Sequence, residues 1–509
     1  MLLQFPSSSL VKKPLSPHRK GSVLIIVLWI ATGLVTITLL FGHSMFFEFK
    51  AADNNYAGHQ AEQAIEGAVR YIQYMLSNQE QIGVVPEQDA FLSDAIPIGG
   101  AYFWIIGREP SSFLTDSPSF GLIAESSKIN LNQASIEMLE LIPGMIPELA
   151  AAMVDWRDSD EEITPNGAEN ESYLFLTPPY LCKNAPYESI DEVRLVFGAQ
   201  TDQLYGEDTN QNGYLDYQEN DRDLSFPLDN QDGFLDIGIL DYLTVWSRDL
   251  SLRSDGSARV NVYGDNEDEL NTVLADALGQ ERADEIIGSS GGEQGSDQNG
   301  ASGNSQGGDQ GGGRNGDAGD PTGGGSSDPP AEDSDPEQDD EEEAPTNNLL
   351  EYFMQSGMTA AEFDLVAPDL TVTDAPFIEG LINVNTATEA VLATVPGIDE
   401  SKAAELVGYR RTSIDSSRSI AWILDVLDDD SAQQAAPFLT TYSFQYTADI
   451  AAVGRKGRGY RRVRFVFSFS EDGIPEVVYR KDMTRQGWAL GPEVRRQLEL
   501  QNHTQNVRI

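Results

Sequence analysis

From Ser22 to Phe47 the chain is apolar or uncharged at every position, with His43 taken as neutral. Ser22 to Phe41 is already long enough to cross a hydrocarbon core as one helix, which takes about 20 residues. The pattern then turns amphipathic. Ala61, Ala64, Ile65, Ala68, Val69, Ile72, Met75 and Leu76 recur at helical spacing, so one long helix is predicted, half for lipid and half for a protein face. GAYFWIIG (Gly100 to Gly107) and SFGLIAESSKIN (Ser119 to Asn130) read as strands between turn residues. Near the far end, TYSFQYTADIAAV, RRVRFVFSFS and PEVVYRKDM read as strands, with SEDGIP as the turn between the last two. Arg462 and Arg464 alternate there with Val463 and Phe465. That spacing predicts a solvated outer strand face, favoured over an anion-binding patch.

Between these ends the pattern is helical and repeats. INLNQASIEMLELIPGMIPELAAAMVDWRDSD (Ile129 to Asp160) predicts a helix capped by Asn132 or Ser135, a Pro143-Gly144 turn, and a second helix from Pro147. INVNTATEAVLATVPGIDESKAAELVGYRRTS (Ile382 to Ser413) repeats it through Pro396-Gly397. Each looks like a helix-hairpin-helix unit, followed by a short amphipathic helix, Tyr187 to Gly198 or Ser419 to Leu427. Copies about 250 residues apart argue for one helical domain with a long excursion rather than a solenoid. The excursion holds strand-like Ile239 to Ser247 and Ser257 to Gly264, then a helix, EDELNTVLADALGQERADEIIG. Gly288 to Thr346 is almost wholly Gly, Ser, Asp, Glu, Gln, Asn and Pro, too poor in apolar side chains to offset chain entropy, and is expected to be a disordered acidic linker. A helix resumes at LLEYFMQS.

Charge narrows the function classes. The 509 residues carry a formal net charge of -49, which repels nucleic acid and favours divalent cations. Lys12, Lys13, Arg19 and Lys20 are the only charges before the apolar run. The N-terminus is therefore expected in the cytoplasm and the bulk of the chain outside. No small-x-small pattern closes the run as in a cleaved signal peptide, which leaves a plain signal anchor as the bland reading. The single cysteine, Cys182, excludes an intrachain disulfide and is expected to be a buried small side chain. Four histidines, three of them in or before the N-terminal helix, offer no Ser/His/Asp or Cys/His arrangement, so no catalytic residue is assigned.

The most specific motif is DTNQNGYLDYQE, Asp208 to Glu219, which satisfies the EF-hand loop pattern. Asp208, Asn210 and Asn212 are the oxygen donors, Gly213 makes the sharp turn, and Tyr214 gives its backbone carbonyl. Asp216 binds directly or through water, and Glu219 is the bidentate carboxylate. Hard oxygens at this spacing suit calcium. A weaker copy, LDNQDGFLD (Leu228 to Asp236), has Leu228 at the first ligand position and must recruit Asp229 or another donor beside Asp232 and Asp236. The alternative for both is a pair of acidic turns. Acid also follows each hairpin, Glu148 in one and Asp399 and Glu400 in the other, where DNA-binding versions hold a phosphate. No nucleic-acid partner is expected.

The basic leader ending at Gly21, the apolar run, the Ala-rich continuation, the two INxNxA…PG units, KNAPYESIDEVRLVFG and the calcium loop followed by YLTVWS together resemble the type II secretion minor pseudopilin K family. The resemblance covers most of the chain, but not the acidic tract. Ile26 stands at the fifth position after Gly21, where most pseudopilins have a glutamate, and its absence is typical of this subfamily. The resemblance implies cleavage by a prepilin peptidase between Gly21 and Ser22. It implies an α+β fold: a small antiparallel-sheet pseudopilin core behind the long helix, with a large mainly helical domain inserted between its strands. The expected parts are leader 1–21, transmembrane helix 22–47, amphipathic continuation and loop 48–98, core strands 99–130, inserted domain 131–438 and C-terminal core strands with tail 439–509. Within or at the edge of the insert lie the helix-hairpin-helix units 129–160 and 382–413, the calcium loops 208–236 and the linker 288–346. It further implies a non-enzymatic single-pass inner-membrane protein with a periplasmic head, placed at the pseudopilus tip with the I-type and J-type minor pseudopilins. Secreted substrate or the outer-membrane channel would be the head's other contact. The rival readings are a membrane-anchored DNA-uptake receptor and a secreted calcium-dependent hydrolase.

Overall fold

The computed structural model describes residues 20–79, 81–86, 90–108, 118–216, 219–220, 222, 230–290, 348–412 and 419–506. The expected leader up to residue 19, and the acidic linker beyond Ser290, lie outside the described residues. The predicted long helix runs unbroken over Lys20–Ser77. Its first part is exposed from Val23 onward, with a mean hydropathy of 2.7 in its most apolar stretch, and is long and apolar enough to cross a membrane. Thr32, Thr36 and Thr38 donate their hydroxyls to carbonyls one turn back, so they leave no polar group unsatisfied in the apolar half. Its second half buries Ala57, Ala61, Ala64, Ile65, Ala68, Ile72 and Leu76.

That face lies under an antiparallel sheet of β1 (Ile96–Ile98), β2 (Ala101–Ile106), β3 (Ile123–Ala124), β4 (Gln445–Gly454), β5 (Arg458–Phe469) and β6 (Pro475–Asp482). The path is β1-β2-β4-β5-β6, with β3 pairing the other end of β4. Period two decides which side each residue serves. Tyr446, Ala448, Ile450 and Ala452 face the long helix with Val463, Phe465 and Phe467, whereas Ala451 and Val453 pack with Trp104 and Ile106 on the other side. Every residue of β4 is buried, because both its faces are covered. The helix Gly491–Asn506, absent from the expected strands and tail, follows the sheet, and its Leu498 belongs to the second face. Gly459 sits at φ +68°, and a Cβ there would run into the backbone of Ala57 and Gly58. Gly459→Ala is therefore expected to cost about 2 kcal/mol or more. A urea unfolding series on the two proteins measures it.

The chain between β3 and β4 builds a second, mainly helical core. Three two-residue parallel ladders organise it: Ile129–Asn130 with Leu243–Thr244, Val260–Asn261 with Leu370–Thr371, and Ile382–Asn383 with Leu439–Thr440. Ile129–Asn130 thus belongs here and not to the core strands expected over 99–130. Each ladder opens a helix, a turn on a positive-φ glycine and a second helix. The helices are Ile136–Glu140 and Pro147–Arg157 around Gly144, Glu267–Leu278 and Gln280–Ser290 around Gly279, and Glu389–Leu392 and Glu400–Thr412 around Gly397. The middle copy was expected to be one helix; Gly279 at φ +90° breaks it. Each copy closes on a 3-10 turn just before its Leu-Thr strand: Ile239–Asp241, Ala367–Asp369 and Ala436–Phe438. The segments expected as short amphipathic helices are themselves 3-10 turns, Ile190–Leu195 and Ile420–Asp425. The three copies share one continuous hydrophobic core, from Ile129 through Leu274 to Leu439.

Candidate metal centre

In the second and third copies a helix runs directly into the closing 3-10 turn, at Val366–Ala367 and Ala435–Ala436. In the first, the helix Thr201–Tyr205 and the turn Ile239–Asp241 are separated by an excursion that carries both predicted loops. Its base is pinned by an antiparallel bridge between Gly206 and Ile237.

In the first loop the Asp208 carboxylate accepts the amides of Asn212 (2.9 Å) and Gly213 (2.8 Å), and the Asn212 side chain accepts that of Tyr214 (3.0 Å). Glu219 accepts the amides of Asn210 and Asp216, both at 3.2 Å, while Asn210 donates its side-chain amide to Asp216 (2.8 Å). Gln211 and Gly213 take positive φ, 54° and 77°, which winds the chain tightly around these oxygens. Asp208, Asn210, Asn212 and Glu219 are all buried. Asn210 Oδ1 is a buried oxygen with no hydrogen-bond partner. Burial, then the charges of Asp208 and Asp216, push the Glu219 carboxyl up to about 8, and burial raises that of Asp208. Crowded buried carboxylates beside an unused amide oxygen fit a hard cation. The donor set mixes acids and amides; among the described residues no three His, Cys, Asp or Glu side chains converge as a ready-made cage.

The second loop reproduces the first. Gln231 and Gly233 take φ of 65° and 81°, Asn230 donates to Asp236 (2.8 Å), and the Phe234 amide donates to Asp232 (2.7 Å). Asp229 lies outside the described residues. Ile239 falls where the first loop has Glu219, so the loop lacks its own closing carboxylate. Glu207 takes that position from the other arm of the excursion. It accepts the Asn230 amide at 2.8 Å and the Asp236 amide at 3.4 Å, as Glu219 accepts those of Asn210 and Asp216. The sequence held one signal for it: a loop with apolar residues at its first and last ligand positions needs an acid from elsewhere.

Sequence spacing missed the clamp on the first loop altogether. Arg462 and Arg464 do not face solvent as the alternation predicts. Arg462 is wholly buried, forks onto Asp449 of β4 at 2.7 Å through both Nε and Nη2, and reaches the carbonyls of Asn210 and Gln211. Arg464 bonds Asp449 at 2.8 Å, and Arg108 donates to the Gln211 carbonyl at 2.9 Å. That sheet face is covered by the loop itself. Burial raises the Asp449 pKa, but Arg462 and then Arg464 outweigh it and hold the carboxyl well below the usual range. Cys182 is buried as expected, and burial pushes its thiol up to about 11, which leaves it inert.

Residues 128–205 match the family model for type II secretion system (T2SS), protein K. A relative, type II secretion system protein K of Klebsiella pneumoniae, is 43% identical over 51 residues, which are 10% of this chain and 16% of that protein. The match thus spans less than a fifth of the relative's length. A chain of the GspK-GspI-GspJ complex from the enterotoxigenic Escherichia coli type 2 secretion system aligns with 85% of this chain and 98% of its own. Its TM-score is 0.36 at 10% identity. The 128–205 segment, which holds the first helical copy up to the edge of the two predicted loops, is thus where this chain is similar to the type II secretion system protein K family.

Proposed function

We propose that the protein is a non-enzymatic minor pseudopilin of the type II secretion system, set at the tip of the pseudopilus and assisting export of folded proteins. The observation that carries this is the single helix Lys20–Ser77, half exposed apolar rod and half sheet-packed stem, with Ile26 in place of an acid. A buried carboxylate in such a rod serves to neutralise the terminal ammonium of the next subunit, because an unpaired charge in lipid is costly. A subunit with no neighbour above it has no use for one. The helix crosses the inner membrane once, the N-terminus is cytoplasmic and the head periplasmic, in keeping with Lys12, Lys13, Arg19 and Lys20 before the apolar run. The I-type and J-type minor pseudopilins are its partners at the tip, and secreted substrate or the outer-membrane channel is met by the head. The inserted body is built of helix-hairpin-helix units used for packing; the acids after Gly144 and Gly397 disfavour DNA.

Both loops bind calcium as a structural ion. Asp208, Asn210, Asn212, the Tyr214 carbonyl, Asp216 and Glu219 hold one. Asn230, Asp232, the Phe234 carbonyl, Asp236 and Glu207 hold a second. The ion neutralises the buried carboxylates and locks the excursion that joins the helical body to the sheet. The prepilin peptidase cuts between Gly21 and Ser22. Gly21→Leu, expressed with that peptidase, is expected to keep its leader, read by mass spectrometry of the N-terminal peptide; normal cleavage overturns the assignment.

A further inference from the structure

Ala57 is the first buried residue of the long helix, and it is buried by the β4–β5 turn. Gly454 and Gly459 approach the backbone of Ala57 too closely for either to carry a Cβ, so the turn is fixed at that height. At about 1.5 Å per residue, Asp53 stands about 9 Å beyond Phe47, the end of the apolar run, and Ala57 about 15 Å. The polar layer of a bilayer adds about 5–8 Å beyond the hydrocarbon. The turn is therefore the part of the head nearest the head groups when the apolar half is in lipid, and its long side chains, such as Arg458 extending to Asp53, span the remaining gap.

This turn is basic in a chain whose net charge is -49. Arg455 and Lys456 form its tip, and Arg458 reaches down the helix to pair with Asp53. Arg461 pairs with Glu62 at 3.3 Å. Arg495 comes from the tail helix, which lies along the turn with Leu498 against Gly457, and its guanidinium sits 5.6 Å from the Trp488 ring centre. Asp53 and Glu62 offset Arg458 and Arg461, and the neighbouring Arg496 is matched by Glu493 at 2.8 Å, so it is Arg455 and Arg495 that keep the patch positive.

We propose that this turn is a foot that docks on anionic phospholipid head groups while the helix is in the bilayer. The inference rests on the membrane-anchor reading above. An acidic head next to an anionic surface is repelled everywhere except at a basic contact, and such a contact acts within about a Debye length, ~8 Å at physiological salt. The foot fixes the height and tilt of the head over the membrane, and it must let go when the helix is drawn out into a fibre.

The test uses the full-length protein in lipid nanodiscs of phosphatidylcholine alone, or of phosphatidylcholine mixed with phosphatidylglycerol. Backbone hydrogen exchange of residues 454–461 is compared with that of β5 from Val463 to Phe467. The foot is expected to exchange roughly threefold more slowly in the anionic discs. The difference is expected to vanish in about 0.5 M NaCl. It is also expected to vanish in Arg455→Glu/Arg495→Glu protein whose β5 exchange is unchanged. Equal exchange of the wild-type foot in both discs overturns the proposal and leaves the anchor standing. A chain that enters neither disc overturns the anchor, and the foot with it.

Discussion

Asp449→Ala is expected to be the most damaging single substitution in the sheet, at about 3–5 kcal/mol, because it strands two cations that one carboxylate now holds. Arg462 has no route to solvent, and Arg464 is only one-fifth exposed. In a body of this size that loss lowers the melting temperature by roughly 10 °C, read by scanning calorimetry. The double variant Asp449→Ala/Arg462→Met is expected to cost less than its two single changes added together, since it removes the orphaned charge as well as its partner. Additive losses would show that the pair is not an energetic unit. The pH dependence follows from the same geometry. The folded carboxyl lies below its unfolded value of about 3.9, so the stability it contributes is fully present above that pH. It is lost only as pH falls through the folded value. Melting should therefore be insensitive to this residue's titration near neutrality, and the difference between wild type and Asp449→Ala should shrink below about pH 4.

Removing calcium is expected to have the next largest effect. An ion at about 100 times its dissociation constant stabilises the folded state by about 2.7 kcal/mol. Adding EDTA to calcium-loaded protein should then lower the melting temperature by roughly 5–10 °C. Magnesium should not restore it, because it demands a smaller octahedral shell. Glu219→Gln should abolish the response of the first loop, and Glu207→Gln should remove one ion from the stoichiometry measured by titration calorimetry. Melting that ignores both EDTA and calcium would sink the metal assignment. Glu207 separates two accounts of the second loop. If Glu207→Gln leaves the ion count unchanged, Glu207 serves the amides of Asn230 and Asp236 and nothing more.

The extent to which the sequence was readable depended on the range of the interaction concerned. The long helix, the three C-terminal strands and the Leu349–Ser356 helix were legible because hydrophobic period and end residues act locally. Two helical copies were visible because Pro-Gly marks their turns. The middle copy has Gly279 without a proline, and its kinship emerges only when Val260–Asn261 is seen paired in parallel with Leu370–Thr371. Two-residue ladders between segments so far apart leave no period to count. The tail helix Gly491–Asn506 was passed over for a similar reason: only Leu498 and a few neighbours anchor it, and they pack on a sheet face no local pattern defines.

By itself, the sequence determined the membrane-grade rod, the sheet-forming ends, the Pro-Gly helical turns and the oxygen spacing of the first loop. Each of these is a property of neighbours along the chain, where backbone geometry alone fixes which side chains share a face. Only the tertiary structure decided that Arg462 and Arg464 are buried on Asp449, that these arginines hold the Asp208–Glu219 loop to the sheet, and that Glu207 accepts the amides of the second loop. Strand alternation states that two residues lie on the same face; it does not state what covers that face. Here the cover is a loop from more than two hundred residues earlier, and burying a charge beneath it is tolerable only because folding brings the opposite charge there.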